Sequence, residues 1–336
     1  MCGSTENMYN MRDTNLGRCS DDFYPRNRAS FTTHISTCAF NSLFCGELFI
    51  PDWDMFHSRH SAALLHATAR AVSGGPVYCS DKPGQHDFAL LRRLVLPDGS
   101  VLRCLLPGRP TADCLFLDVS GDGRSALKVW NKNRCNAVLA AFNVQGASWS
   151  TPRRGFHFHN SQPSAVTAHV CPTDVPGLVP PAAGSQDEPG EAGQPSFAVY
   201  VDSRQELLLL GPNDSLPVEL AGGGGSELLT LAAVCQAPHG GPKVAPIGLT
   251  NMLNAGGAVI SCGWAEAGEG QGHPVFRLST RGHGRLLTYC SQRPAAVAVA
   301  GASGVPVPFA YHAQRGALSW HVPAGLPLAL EWELLF

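Results

Sequence analysis

The stretch Ile50-Pro51-Asp52-Trp53-Asp54-Met55-Phe56 sets the fold reading: a short apolar run ends in two carboxylates flanking an aromatic. Upstream, Arg18-Cys19-Ser20-Asp21-Asp22-Phe23-Tyr24-Pro25 repeats the theme. Downstream, Ser73-Gly74-Gly75-Pro76-Val77-Tyr78-Cys79-Ser80-Asp81-Lys82-Pro83-Gly84 repeats it again. Between these motifs the hydrophobic spacing is helical. Ser30 is placed to cap a helix from Phe31 to about Gly46, with Ile35, Ala39, Leu43 and Phe44 on one stripe. A strand is expected over Leu48–Phe56. A helix is expected over Ser61–Val72, stopped by Gly74-Gly75. Pro76–Cys79 reads as a strand, and Asp87–Val95 as a helix ended by Pro97-Asp98-Gly99. Each acidic motif therefore closes a strand at its carboxyl end, where a (β/α)8 barrel places its active site. Aromatic rings beside carboxylates suit a sugar. The ring faces stack on the pyranose, while the carboxylates bind hydroxyls or transfer a proton at the glycosidic oxygen.

The remainder of the chain changes period. Leu115-Phe116-Leu117, Ala126–Trp130, Ala137–Val144, Phe197–Val201, Glu206–Leu210 and Glu227–Val234 read as strands. So do Val259–Cys262, Leu286–Cys290, Ala296–Ala300 and Leu328–Leu334, separated by turns such as Gly121-Asp122-Gly123. The expected fold is thus α/β plus all-β: part of a (β/α)8 barrel over residues 1–106, then an antiparallel β-sandwich over 107–336. The low-complexity segments 172–195 and Gly222–Gly225 are taken as surface insertions or linkers.

Composition narrows the function classes. The formal charge of −2 over 336 residues, without a basic stripe, argues against nucleic-acid binding. No apolar run is long enough to span a bilayer, so no membrane partner is expected. The 12 cysteines are dispersed, with no Cys-x-x-Cys pair, and read as free thiols of a reducing, cytoplasmic compartment. His57, His60 and His66 lack a completing carboxylate, Asp118–Gly123 lacks the later glutamate of a calcium loop, and Gly268-Glu269-Gly270-Gln271-Gly272 has no strand–turn–helix around it. Neither metal nor cofactor is expected.

The Ser20-Asp21-Asp22-Phe23 and Pro51-Asp52-Trp53-Asp54-Met55-Phe56 runs together, with Leu94–Arg103, Leu127–Asn131 and Ala141–Gly146, resemble the carboxyl-terminal half of the raffinose synthase and seed-imbibition (alkaline α-galactosidase) proteins. These belong to glycoside hydrolase family 36. The resemblance implies a retaining α-galactosyl transfer from galactinol to sucrose through a covalent galactosyl-enzyme. It places the acid/base in the Ser20-Asp21-Asp22 segment, with Asp21 the first choice and Asp22 the alternative. Arg18 would contact substrate or orient the pair. Trp53 would stack on a sugar ring, Asp52 or Asp54 would bind hydroxyls or else support the barrel end, Asp81 would line the acceptor side or else serve only its loop, and Cys2 would sit in a substrate loop. A complete barrel needs about 250 residues. The family nucleophile, in a Lys-x-Asp motif, belongs upstream of the matched region, and no such motif occurs here. An amino-terminally truncated chain, inactive alone, is the resulting expectation. The rivals are an alkaline α-galactosidase acting on raffinose-family oligosaccharides, and a non-catalytic carbohydrate-binding or structural remnant.

Overall fold

Strand β1 (Leu16–Arg18) lies parallel to β2 (Ile50–Asp52), with Leu16 opposite Ile50 and Arg18 opposite Asp52. Helix α1 (Ser30–Cys45) connects them. Helix α2 (Ala63–Ser73) follows β2, and a parallel bridge then joins Phe56 to Cys79. The short helix α3 (Phe88–Leu91) comes next. The computed structural model describes residues 16–18, 20–178, 196–265, 273–300 and 306–336. The Cys2 position lies outside them.

Local chemistry explains where these elements differ from expectation. Ser30 does not cap α1. It sits in the first turn, and its hydroxyl accepts from Tyr24 N at 3.0 Å. The strand expected over Leu48–Phe56 shrinks to three residues because Asp54 adopts φ 67°, which ends the extended run. Gly74 closes α2 in the left-handed region, at φ 73°. Asp87 caps α3 by accepting from Ala89 N at 3.0 Å and Leu90 N at 3.2 Å, but the helix stops after four residues.

Beyond residue 107 the described residues are strands, turns and 3-10 turns of three or four residues. In chain order the strands are β3 (Arg109–Pro110), β4 (Leu127–Lys132), β5 (Ala137–Phe142), β6 (Ala147–Ser150) and β7 (Gly155–Phe158). Next come β8 (Val166–Val170), β9 (Phe197–Val201), β10 (Glu206–Leu210), β11 (Leu216–Leu220) and β12 (Ser226–Ala233). An antiparallel six-stranded sheet has the order β10-β9-β12-β5-β4-β3. One face packs on the helices, where Val138, Ala140 and Phe142 meet Ile35 and Val72 in one cluster. Its other face is covered by the β8–β11 ribbon through Leu139, Leu229, Val166 and Leu220. Covered on both sides, β5 is buried at every residue, whereas β8 alternates. Each fully buried Val, Leu or Phe contributes about 1.5–3 kcal/mol, so the first cluster binds the helical segment firmly to this sheet across residue 106.

The last third holds β13 (Cys235–Gln236), β14 (Lys243–Leu249), β15 (Val259–Trp264), β16 (Val275–Arg281) and β17 (Gly284–Cys290). It continues with β18 (Ala296–Val299), β19 (Phe309–His312), β20 (Ala317–Val322) and β21 (Ala329–Leu335). A five-stranded sheet, β13-β14-β17-β20-β19, and a four-stranded sheet, β15-β16-β21-β18, share a core. Trp320 and Trp332 meet there with ring centroids 5.5 Å apart, and the Trp332 indole donates to Thr280 Oγ1 at 2.9 Å. The sequence reading needs two local corrections. Leu115-Phe116-Leu117 is a turn with Phe116 exposed, not a strand. Gly222–Gly225 is not a free linker: a Cβ on Gly224 would lie 2.9 Å from Leu65 on α2, so the turn packs where only glycine fits.

Candidate active site

Arg18, at the end of β1, gathers three acidic residues. Its Nη2 donates to Asp21 O at 2.9 Å and Asp22 Oδ1 at 2.8 Å, and lies 3.3 Å from Asp54 Oδ2. The parallel register sets this up, because Arg18 stands opposite Asp52 and the loops after both strands leave on the same side.

The carboxylates have different fates. Asp54 is buried, with Oδ2 accepting from Phe23 N at 2.9 Å and Oδ1 from Met55 N at 2.8 Å. It brackets the loop after β1 onto the end of β2. Asp52 accepts from Asp54 N at 2.8 Å and from the Tyr78 hydroxyl at 2.9 Å. The Asp22 side chain is 64% exposed and paired with Arg18. Asp21 is the exception. Its oxygens are sequestered from solvent and, among the described residues, have no hydrogen-bond partner. Thr37 borders the same cleft, but its hydroxyl donates to Thr33 O at 2.9 Å. Burial pushes the Asp21 carboxyl above the usual carboxylate range; the charge of Asp22 adds to this, while Arg18 opposes it.

Behind Asp21 stands His34, buried on α1. Nε2 meets Trp53 O at 3.0 Å, and Nδ1 lies 3.9 Å from Asp21 Oδ1. A carbonyl can only accept, so Nε2 carries the proton and Nδ1 presents a lone pair. Burial, then the charge of Arg70, pushes His34 down to about 4, which keeps it neutral. Cys38, 3.5 Å from Nε2, is a thiol pushed up to about 12 by burial.

Trp53 corrects an expectation. It is 1% exposed, and its Nε1 donates to Ser42 Oγ at 3.3 Å, so it offers no face to a sugar. An exposed aromatic beside Asp21 is instead Trp149, on β6. Asp21, Thr33, Ser36 and Thr37 form one side of a cleft of about 380 Å³, and Ser120, Ser148, Trp149 and Phe156 form the other. The Trp149 and Phe156 rings meet edge-to-face at 5.1 Å. Its sequence signal is Ala147-Ser148-Trp149-Ser150, a bulky aromatic among small polar residues between Gly146 and Thr151-Pro152. Asp81 is turned away from Arg18 toward Ser58, whose N–H donates at 2.8 Å and hydroxyl at 2.6 Å. Burial works against its charge, yet these two bonds hold the Asp81 carboxyl below the usual range.

Sequence reasoning passed over Arg70. Its guanidinium, buried on α2, donates to Trp53 O at 2.6 Å, Met55 O at 3.0 Å and Asp54 O at 3.2 Å. Nη1 meets His66 Nδ1 at 2.7 Å. This cation holds the loop that carries Asp54. An arginine inside the alanine-rich run Ala67-Thr68-Ala69-Arg70-Ala71 was the available signal.

A family profile described as raffinose synthase or seed imbibition protein Sip1 matches residues 1–322. The chain belongs to this family. Raffinose synthase family relatives include "Probable galactinol–sucrose galactosyltransferase 6" of Arabidopsis thaliana, 44% identical over 294 residues, 88% of this chain and 38% of the relative. The galactinol–sucrose galactosyltransferase of Oryza sativa subsp. japonica is 43% identical over 289 residues, 83% of this chain and 35% of the relative. Stachyose synthase of Pisum sativum is 36% identical over 295 residues, 84% and 33% respectively. The chain therefore spans only 33–38% of the length of these family members. The match covers the whole acidic cluster and the cleft.

Proposed function

We propose that this chain supplies the acid/base side of a retaining α-galactosyl transfer site, moving galactose from galactinol to sucrose. The observation that carries the reading is the Asp21 carboxyl, partner-free among the described residues, backed by a neutral histidine and lining a cleft with an exposed tryptophan. The names of the relatives supply the substrate class. Protonated Asp21 delivers its proton to the glycosidic oxygen of galactinol as that bond breaks. As a carboxylate it then takes the proton of the incoming sucrose hydroxyl. Trp149 is the proposed stacking surface, and the hydroxyls of Ser36, Thr37, Ser120 and Ser148 the proposed hydrogen-bonding wall.

A retaining reaction also needs a nucleophilic carboxylate about 5–5.5 Å from the acid/base. Asp22 is held by Arg18, and Asp54 by two backbone N–H groups, so neither is assigned that role. The β1–β2 parallel pair and the parallel Phe56–Cys79 bridge support reading this segment as the last strand–helix units of a (β/α)8 barrel. A cytoplasmic site is proposed because all ten described cysteines are free thiols. Among the described residues no helix is long and apolar enough to cross a membrane.

The test is raffinose formation from galactinol plus sucrose by the enzyme containing this segment. Asp21→Asn lowers the rate by about 10²–10⁴-fold, whereas Asp22→Asn retains most of it. A larger loss from Asp22→Asn than from Asp21→Asn overturns the assignment. The ratio of raffinose to free galactose separates the transferase from the α-galactosidase reading.

A further inference from the structure

The loop after the Phe56–Cys79 bridge carries a second constellation, independent of the galactosyl-transfer reading. We propose that Cys79, Asp81 and His86 form a divalent-metal site, with Zn²⁺ the best-fitting ion, that fastens the 79–87 loop. One ligating atom from each residue lies within 4.8 Å of the others, and all three residues are partly buried. The turn produces this geometry. Gln85 N donates to Lys82 O at 2.9 Å and Gly84 takes φ 75°, which returns the chain so that His86 faces Asp81.

The donors are held before any ion arrives. Ser80 N donates to Phe56 O at 2.9 Å on one side of the loop, and Asp87 N to Ser58 Oγ at 2.7 Å on the other. Ser58 also fixes both oxygens of Asp81, the part played by an outer-shell partner in a metal site. The His86 ring stacks on Phe88 at 5.4 Å, which limits its rotation. Thiolate, imidazole and carboxylate are the three ligand types zinc accepts, and three protein ligands leave a fourth position for water. A hard cation such as Mg²⁺ is disfavoured by the sulfur ligand.

This site differs from the histidines that the sequence singles out. His60 Nε2 lies 2.9 Å from Pro25 O, and His66 Nδ1 is taken by Arg70, so both belong to the packing around α2. His57 Nδ1, 3.7 Å from Asp81 Oδ1, adds one nitrogen beside the carboxylate.

The experiment is titration of the metal-free chain with Co²⁺ and then Zn²⁺. Co²⁺ on a thiolate gives a sulfur-to-metal charge-transfer band together with visible bands of tetrahedral intensity. The expected result is one ion per chain, displaced by Zn²⁺, with a rise in melting temperature. Cys79→Ser abolishes the charge-transfer band. The outer-shell change Ser58→Ala weakens binding about 10–100-fold, and His86→Gln, which removes a ligand, weakens it further. No charge-transfer band in the unaltered chain overturns the proposal. So does an unchanged band in folded Cys79→Ser protein, because it assigns the ion to another cysteine.

Discussion

Nδ1 of His34 lies 3.9 Å from Oδ1 of Asp21, and among the described residues neither atom has a hydrogen-bond partner. The Trp53 carbonyl fixes the His34 proton on Nε2, so a lone pair faces the carboxyl. That lone pair repels a carboxylate and attracts a carboxylic acid. It therefore favours the protonated form of Asp21, the form the proposed acid/base role requires. Arg18 acts in the opposite sense, and Asp22 in the same sense. His34→Gln retains an N–H for Trp53 O and removes the ring lone pair. The expected outcome is a lower Asp21 titration, read by ¹³C NMR of its carboxyl carbon, with the basic limb of the rate profile moving to lower pH. An unaltered Asp21 titration in folded His34→Gln protein contradicts the pairing.

The buried histidines also make stability depend on pH. His34 falls to about 4 from an ordinary value of 6.5, and His66 is likewise lowered, burial being the largest cause for both. Between those limits the unfolded chain binds more protons than the folded one. Stability is therefore complete above about pH 6.5 and is lost as pH falls toward 4. Asp21, shifted upward, has the opposite sign and offsets part of the loss. From pH 7 to 5 the His34 contribution alone is on the order of 2 kcal/mol. Urea unfolding at the two values measures it, and His34→Gln flattens the dependence. Equal midpoints for the unaltered chain at pH 7 and 5 refute this account.

Arg70 is expected to be the costliest single polar substitution in the helical segment. Arg70→Met removes the donors to Trp53 O, Asp54 O and Met55 O, leaving acceptors that water reaches poorly. A loss of about 3–5 kcal/mol follows, by analogy with breaking a buried charged network. Arg70→Lys does not restore it, since an ammonium lacks the planar fork that spans three carbonyls. Chemical denaturation checks both. A loss below about 1 kcal/mol for Arg70→Met would show that the loop after β2 stands without the clamp.

The sequence carried the acidic cluster because residue type and strand-end position suffice to bring Arg18, Asp21, Asp22 and Asp54 together once β1 and β2 run parallel. It did not separate their roles. Asp54 is consumed by the backbone of Phe23, 31 residues away, and such a long-range partner leaves no local trace. Trp53 looked available because carboxylates flank it, yet the φ of 67° at Asp54 bends the chain just where alternation would have assigned its face. Strand β5 was legible as an apolar run buried on both sides. Strands β8 and β11 were not, since a five-residue alternation such as Val166-Thr167-Ala168-His169-Val170 is short enough to be lost beside polar, low-complexity sequence.

The two tryptophans give the sharpest contrast. Trp53 is 1% exposed among Ile35, Cys38 and Val72, whereas Trp149 is 54% exposed over the cleft. Trp53→Ala opens a cavity and leaves Ser42 Oγ without its indole donor, so it costs about 3–5 kcal/mol of stability. Trp149→Ala removes a half-exposed ring and its edge-to-face contact with Phe156, at a smaller cost of about 0.5–1.5 kcal/mol. On the proposed reading, sugar binding is expected to behave in the reverse way. Raffinose titrated against the chain quenches or shifts tryptophan fluorescence through Trp149, and Trp149→Ala abolishes both the signal and the affinity seen by calorimetry. Trp149→Phe keeps an aromatic face and restores part of the affinity, which a merely structural role for the side chain would not produce. If Trp149→Ala binds raffinose as tightly as the unaltered chain, the aromatic wall of the cleft is not the sugar platform. The proposed acid/base carboxyl, Asp21, would then lack an aromatic partner in this cleft.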